Sequence, residues 1–208
     1  REALMTKSIF FEKYLRKKSK KIIFDFDDSI WLENVSNANS FFKWMKNPDK
    51  TKTIIEYSTM IFAGNEYLAN YASKYNKNVK IVPTTIDTLV YKRTQTNEKS
   101  SLIIGWSGSI TTIKHFEFAL PFLKKIKEKY GDTISFKVIG DKDYFNKDLK
   151  IIGLPWSKET ELDDLSSIDI GIMPLPNDEW SKGKCGLKGL QYMSLGIPTL
   201  MSPVGVNN

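Results

Sequence analysis

Cysteine is almost absent from this 208-residue chain, where Cys185 stands alone. One thiol cannot close an internal disulfide or build a zinc cage, and such usage points to a reducing compartment. Histidine is equally scarce, with His115 the single one. Long hydrophobic runs are missing as well. Residues 168–176 carry their own Asp169 and fall far short of the roughly 20 residues a spanning helix needs. No basic, apolar and small-residue series follows Arg1, so nothing reads as a secretory leader. The chain opens without Met and stops at Asn207-Asn208 after a strand-like run, and the expectation is a fragment of a longer protein. What is present suffices for a core. Apolar residues make up 41% and aromatics 12%, while an ordinary 26% charged excludes disorder as the main state. The length accommodates one large domain or two small ones.

The net charge of +7 is unevenly spread, with eight Lys/Arg against two Glu in residues 1–24. Most of that excess is the run Arg16-Lys17-Lys18-Ser19-Lys20-Lys21. Cations at a helix C-terminus explain such a run without any partner. A functional reading is attraction to anionic lipid headgroups, hence peripheral contact with a membrane. Nucleic acid is disfavoured, because no aromatic RNA-binding motif or zinc spacing accompanies the charge.

Periodicity predicts alternating helices and strands. In the first part helices are expected over 4–16, 41–46, 53–58 and 66–74, and strands over 21–26, 59–63 and 79–82. The polar stretch 93–100 is the best linker candidate. The second part predicts strands at 101–106, 135–139, 149–152, 168–173 and 198–201, with helices at 112–130, 158–165 and 186–194. Strands separated by helices imply right-handed crossovers and parallel sheets covered on both faces. Ligands of such sheets bind beyond the carboxyl ends of the strands. Sites are therefore sought just after Trp106, Ile139 and Met173.

Two of these places carry chemistry. Ser107-Gly108-Ser109-Ile110-Thr111-Thr112 opens the longest helix, where small residues and free amides suit phosphate. A tight turn capped by Ser109 or Thr111 would use the same residues. The pattern is neither GxGxxG nor a Walker loop. Residues 181–188 hold three lysines and two glycines without an acid, at a strand-to-helix junction. Bare amides, the helix dipole and the lysines together make an anion site. Cys185 lies among these lysines, a setting that lowers a thiol pKa, yet packing beneath the loop is expected because no histidine base is near in sequence. His115 is expected at a surface or between helices.

The stretch 169–207, "DIGIMPLPNDEWSKGKCGLKGLQYMSLGIPTLMSPVGVN", with Trp156 to Glu161 before it, resembles the donor-binding half of a GT-B glycosyltransferase of family 4. "IGWSGSITT" at 104–112, "KVIGD" at 137–141 and "GNEYLANYA…VKIVPTTID" at 64–87 are similar to the same family, as is "DFDD" at 25–28 before Ile30-Trp31. The resemblance implies an α/β fold of Rossmann-like parallel sheets with helices on both faces. It divides the chain into the end of an acceptor-side domain (1–88), a linker (89–97) and an incomplete nucleotide-sugar-binding domain (98–208). It also implies a retaining enzyme of polysaccharide biosynthesis, cytoplasmic or peripheral to the inner membrane face. A UDP- or GDP-sugar would be the donor and a saccharide or lipid-linked molecule the acceptor. No cofactor beyond that co-substrate is implied, and no metal if lysines carry the charge.

Departures from the family pattern shape the site. Its two glutamates, eight residues apart, would fall at Gly183 and Gln191, and its arginine at Trp106 or Ser107. The resemblance then implies Glu179, or Asp178, as the stand-in for the catalytic carboxylate. Lys184 and Lys188 would hold the diphosphate beside Gly186, Gly108 and Ser109 would form the phosphate-side loop, and Gln191 would meet the ribose. A glutamate at 191 is expected to serve the ribose at least as well.

Two alternatives remain. Ile22-Ile23-Phe24-Asp25-Phe26-Asp27 is also similar to the first motif of haloacid-dehalogenase-type phosphatases, with Asp25 as nucleophile and Asp27 as acid/base. The later Gly-Asp-x-x-x-Asp is incomplete, since Phe145 stands where the carboxylate belongs. A sugar-nucleotide-binding module without turnover is the other alternative.

Overall fold

A computed structural model describes residues 8–32, 47, 49–94 and 100–208. The helix expected at 41–46 lies outside these residues, as do parts of the one expected at 4–16 and of the linker.

The first lobe is built from α1 (Phe10–Lys18), β1 (Ile23–Phe26), α2 (Lys50–Tyr57), β2 (Met60–Ala63), α3 (Glu66–Ala72) and β3 (Val79–Ile81). Its three strands are parallel in the order β1-β2-β3. Alternation along β2 sends Ile61 and Ala63 inward, where they meet Phe26, Ile55, Leu68 and Ala72. Helix α3 starts where it does because Asn65, in extended conformation, accepts a hydrogen bond from Leu68 N. Its outer face carries Tyr67 and Tyr71, both stacked against Trp31.

The second lobe runs β4 (Leu102–Ser107), α4 (Ile113–Tyr130), β5 (Ile134–Ile139), β6 (Phe145–Asn146), β7 (Ile151–Ile152), α5 (Glu161–Ser166), β8 (Ile170–Met173), α6 (Glu179–Lys182), α7 (Leu187–Ser194) and β9 (Thr199–Met201). Four strands make a parallel sheet in the order β5-β4-β8-β9. Beneath it Phe116, Ala119 and Leu123 of α4 pack on Ile104, Trp106 and Val138. The strand expected at 149–152 shrinks to β7, which pairs antiparallel with β6 outside the main sheet. The single turn α6 was not foreseen.

Because the chain leaves β4 toward β5 and returns to the other side at β8, the order reverses between β4 and β8. Ligands of open parallel sheets bind at such a reversal, beyond the strand ends. Both loops singled out in the sequence, after β4 and after β8, open there. Tyr192 of α7 braces the spot: its ring rests on Gly171, and its hydroxyl accepts from Ser107 N at 2.8 Å.

Candidate active site at the strand reversal

After β4 the backbone turns sharply. A Cβ on Gly108 would strike the Trp106 ring, so glycine is required here by packing. Gly140 at the end of β5 has φ +116°, and a Cβ on it would meet the Gly108 carbonyl. The turn is thus wedged between its own tryptophan and the next strand. Exposed Ser109 donates its N–H to Thr112 Oγ1 at 3.0 Å, and its hydroxyl lies 2.9 Å from Thr111 Oγ1. The capped-turn reading of this segment describes it, a capping box of Ser109 and Thr112 at the mouth of the reversal.

The lysine-rich loop after β8 is less free than its composition suggests. Asp178 caps α6 by accepting from Ser181 N at 2.7 Å. Glu179 accepts from Tyr67 of the first lobe at 2.7 Å and from Lys182 at 2.5 Å. Those two hydrogen bonds, that from Lys182 foremost, hold its carboxyl below the usual range. Ser29 donates to the Glu179 carbonyl. A Cβ on Gly183 would land on the Ser29 hydroxyl, 2.9 Å from its amide nitrogen. Position 183, where the resemblance would put a first glutamate, faces the other lobe with no room for a side chain.

Lys184 reaches the first lobe too. Its ammonium lies 2.8 Å from Asp28 Oδ1, with side chains only 17% and 8% exposed, and sits over the Trp180 ring at 5.3 Å. Asp28, the last acid of the "DFDD" stretch, thus engages a lysine of the other lobe. Burial, then the nearby Asp27 and Asp28, push the Cys185 thiol up to about 11. It therefore packs as a small apolar group, as expected. Gly186 follows in the left-handed region at φ +75° and starts α7. That is a conformation other residues adopt at a cost.

Along α7 itself a second cluster, reached by Lys188 of the first turn and Gln191 of the next, forms around Glu161. Its carboxylate accepts from Trp156 Nε1 at 2.9 Å, Tyr91 Oη at 2.8 Å and Gln191 Nε2 at 3.1 Å. Lys188 Nζ stands 3.9 Å away. Burial alone would raise the Glu161 pKa, but these donors together hold it below the ordinary value. Gln191 is 3% exposed and donates also to Tyr91 at 2.9 Å, while its Oε1 is buried without a hydrogen-bond partner. Where the resemblance would put a second glutamate, Gln191 thus faces a carboxylate, and two carboxylates cannot share this spot without one being protonated.

Three residues given no role from the sequence complete the picture: Asn65 and Glu161, inside stretches quoted for the resemblance, and Tyr91 outside them. His115, on the first turn of α4, is 5% exposed rather than superficial. Burial first, then Lys184 and Lys114, lower its pKa to about 4, so it is a neutral imidazole at pH 7. Its electrostatic neighbours Lys184, Asp28 and Asp178 put it beside the lysine loop. Asp25 and Asp27 are exposed at β1 in the three-stranded sheet, whereas Asp141 follows β5 in the other, so the phosphatase motifs fall on different sheets. Among the described residues no group of three His, Cys, Asp or Glu is arranged to hold a metal ion.

No protein-family model and no curated protein matches the chain. Solved structures do. TarM aligns over 90% of this chain and 38% of its own, with 11% identity and a TM-score of 0.63. The pneumococcal O-GlcNAc transferase GtfA, solved with UDP and GlcNAc, aligns over 94% and 40%, with 13% identity and a TM-score of 0.64. WaaG, a glycosyltransferase involved in lipopolysaccharide biosynthesis, aligns over 94% and 63%, with 10% identity and a TM-score of 0.61. This chain spans between 38% and 63% of the lengths of these three. All are GT-B glycosyltransferases, and it is their two-lobed fold, over part of its extent, that the 208 residues adopt.

Proposed function

We propose that this chain forms the donor site of a retaining glycosyltransferase that takes a UDP- or GDP-sugar. The observation that carries the reading is the strand reversal at β4 and β8, onto which open both Gly186 at the start of α7 and the capped turn at Gly108 and Ser109. The UDP bound by GtfA supports the nucleotide. The departing diphosphate would meet the first amides of α7 and its dipole, in the arrangement by which preorganised donors stabilise developing charge. Lys184 and Lys188 each have a carboxylate partner, Asp28 and Glu161. An ammonium has three donors, so each retains N–H groups for phosphate oxygens. With their charges balanced, the amides take the larger share. Glu179 would face the sugar and Gln191 the ribose through its unpaired Oε1. The acceptor, a saccharide or a lipid-linked one, would approach from the first lobe.

Membrane contact on the cytoplasmic side belongs to the same proposal. No helix among the described residues is long and apolar enough to cross a membrane. Helix α1, however, turns Phe10, Phe11 and Tyr14 outward, at 77%, 63% and 50% exposure, beside Arg16, Lys17 and Lys18. Aromatics beside cations suit an anionic bilayer surface. Vesicles containing anionic lipid should retain the chain, and neutral ones should not.

The central test is calorimetric titration with UDP, GDP and their sugars. Binding at about 1 mM or tighter is expected for one base, with a matching rise in thermal midpoint. Absence of binding for every nucleotide, or a magnesium-dependent phosphate-ester hydrolysis abolished by Asp25→Asn, would overturn the reading.

A further inference from the structure

We propose that Asn65, in the first lobe, is a positioning residue for the phosphate end of the donor site. It acts through the backbone of the 182–186 turn, and the functional part of the inference rests on the donor-site reading above.

Asn65 is 3% exposed and its amide works in two directions. Its Oδ1 accepts from Leu68 N at 2.9 Å and starts α3. Its Nδ2 donates to the carbonyls of Lys182 and Lys184, each at 3.2 Å, in the other lobe. Both N–H groups of the amide are thereby spent on one turn. Carbonyls two residues apart, held by a single nitrogen, fix the peptide planes that lead into Gly186. The amides that open α7 follow directly, and their direction is what an anion would sense. The turn has little freedom to settle elsewhere. A Cβ on Gly205 would lie 2.8 Å from the Lys182 carbonyl oxygen, Gly183 is closed off by Ser29, and Gly64 packs against the Cys185 sulfur. The donor site is thus shaped from the lobe that does not contain it.

The residue type supports this. A helix N-cap is served equally well by Asp, and nearly so by Ser. Neither can give two N–H donors to a neighbouring backbone. Asparagine is the cap that also holds the turn.

The same chemistry supplies the test. Asn65→Asp and Asn65→Ser keep the cap and remove the amide donors, and Asp adds a carboxylate facing two carbonyl oxygens. Hydrogen exchange of the amides of 182–187 should quicken at least tenfold in both variants, with exchange in α3 unchanged. Affinity for UDP or GDP should fall at least tenfold. Ile55→Val, in the core of the first lobe and without a hydrogen bond to the turn through its side chain, serves as the control for lost stability and should bind as the parent does. Unchanged exchange at 182–187 overturns the positioning role whether or not nucleotide binds. Quickened exchange with undiminished nucleotide affinity overturns its link to the donor site. A parent chain that binds no nucleotide, with exchange still quickened in the variants, sinks the donor-site reading while the hold on the turn stands.

Discussion

The turn before α7 and the helix itself hold their charges in opposite ways. In the turn, Lys184 pairs with Asp28, the carbonyls of Lys182 and Lys184 accept from Asn65, and Gly183 abuts Ser29, all residues of the first lobe. On the helix, Lys188 and Gln191 meet Glu161 of α5 and Tyr91 side chain to side chain. The turn depends on residues 28, 29 and 65 of the first lobe, and the helix cluster on α5 and Tyr91. The difference shows that a row of lysines in a sequence is not yet a row of available charges.

The largest expected effect lies in the turn. Asp28→Ala strands the Lys184 ammonium in a mostly buried setting, and breaking such a pair costs about 3–5 kcal/mol of stability. Denaturant unfolding should show it, and adding Lys184→Met should recover most of the loss. If the single variant loses less than about 1 kcal/mol, the pair is in effect a surface one and the contrast between turn and helix collapses.

Gln191→Glu probes the helix cluster and revises the sequence-based expectation for it. The change deletes two donors and sets a carboxylate against Glu161, for a cost of about 1–3 kcal/mol. One proton of the pair would be held above the usual carboxylate range. Stability relative to the parent should then be best at low pH, where that proton is retained, and decline as pH rises through the range. A penalty that is the same at pH 4 and pH 8 would show that the two side chains separate.

The two groups also differ in their response to acid, His115 lying beside the turn and Glu161 at the centre of the helix cluster. His115 has its pKa lowered from 6.5 to about 4, so the unfolded chain takes up a proton that the native state refuses. Its contribution is fully present above pH 6.5 and is lost as pH falls toward 4, with a slope no steeper than about 1.4 kcal/mol per pH unit. Glu161, whose pKa is lowered from 4.5, weakens only as pH drops below that value. His115→Gln should flatten the stability curve between pH 6.5 and 4.5 and leave the lower limb in place. An unchanged upper limb would show that the imidazole is hydrated.

The smallest effect belongs to Lys188→Met. The lysine stands 3.9 Å from a carboxylate that keeps three other donors, so stability should change by about 1 kcal/mol or less. Nucleotide affinity should fall more than stability does, and the reverse would make Lys188 a structural residue only.

Much of the fold was legible in the sequence. Helix α4, strand β5 and helix α3 have enough length or a strong enough cap for their periodicity to show. Strands β6 and β7 have two residues each, too few for an alternation to register. One turn of helix, α6, is equally silent. The site was legible as a place rather than as a set of partners. Loops after β4 and β8 were singled out, and they do open at the strand reversal. That Lys184 meets Asp28, 156 positions away, or that Gln191 faces Glu161, depends on the tertiary arrangement. Gly108 looked like a ligand-approach residue and has a packing role against Trp106.

Gly183 gives the meeting of the lobes a mechanical character. Where it touches Ser29 there is no side chain on one side and a single hydroxyl on the other. A single methyl group at 183 would overlap the Ser29 hydroxyl and crowd its backbone nitrogen, so it would act as a wedge between the two lobes at this contact.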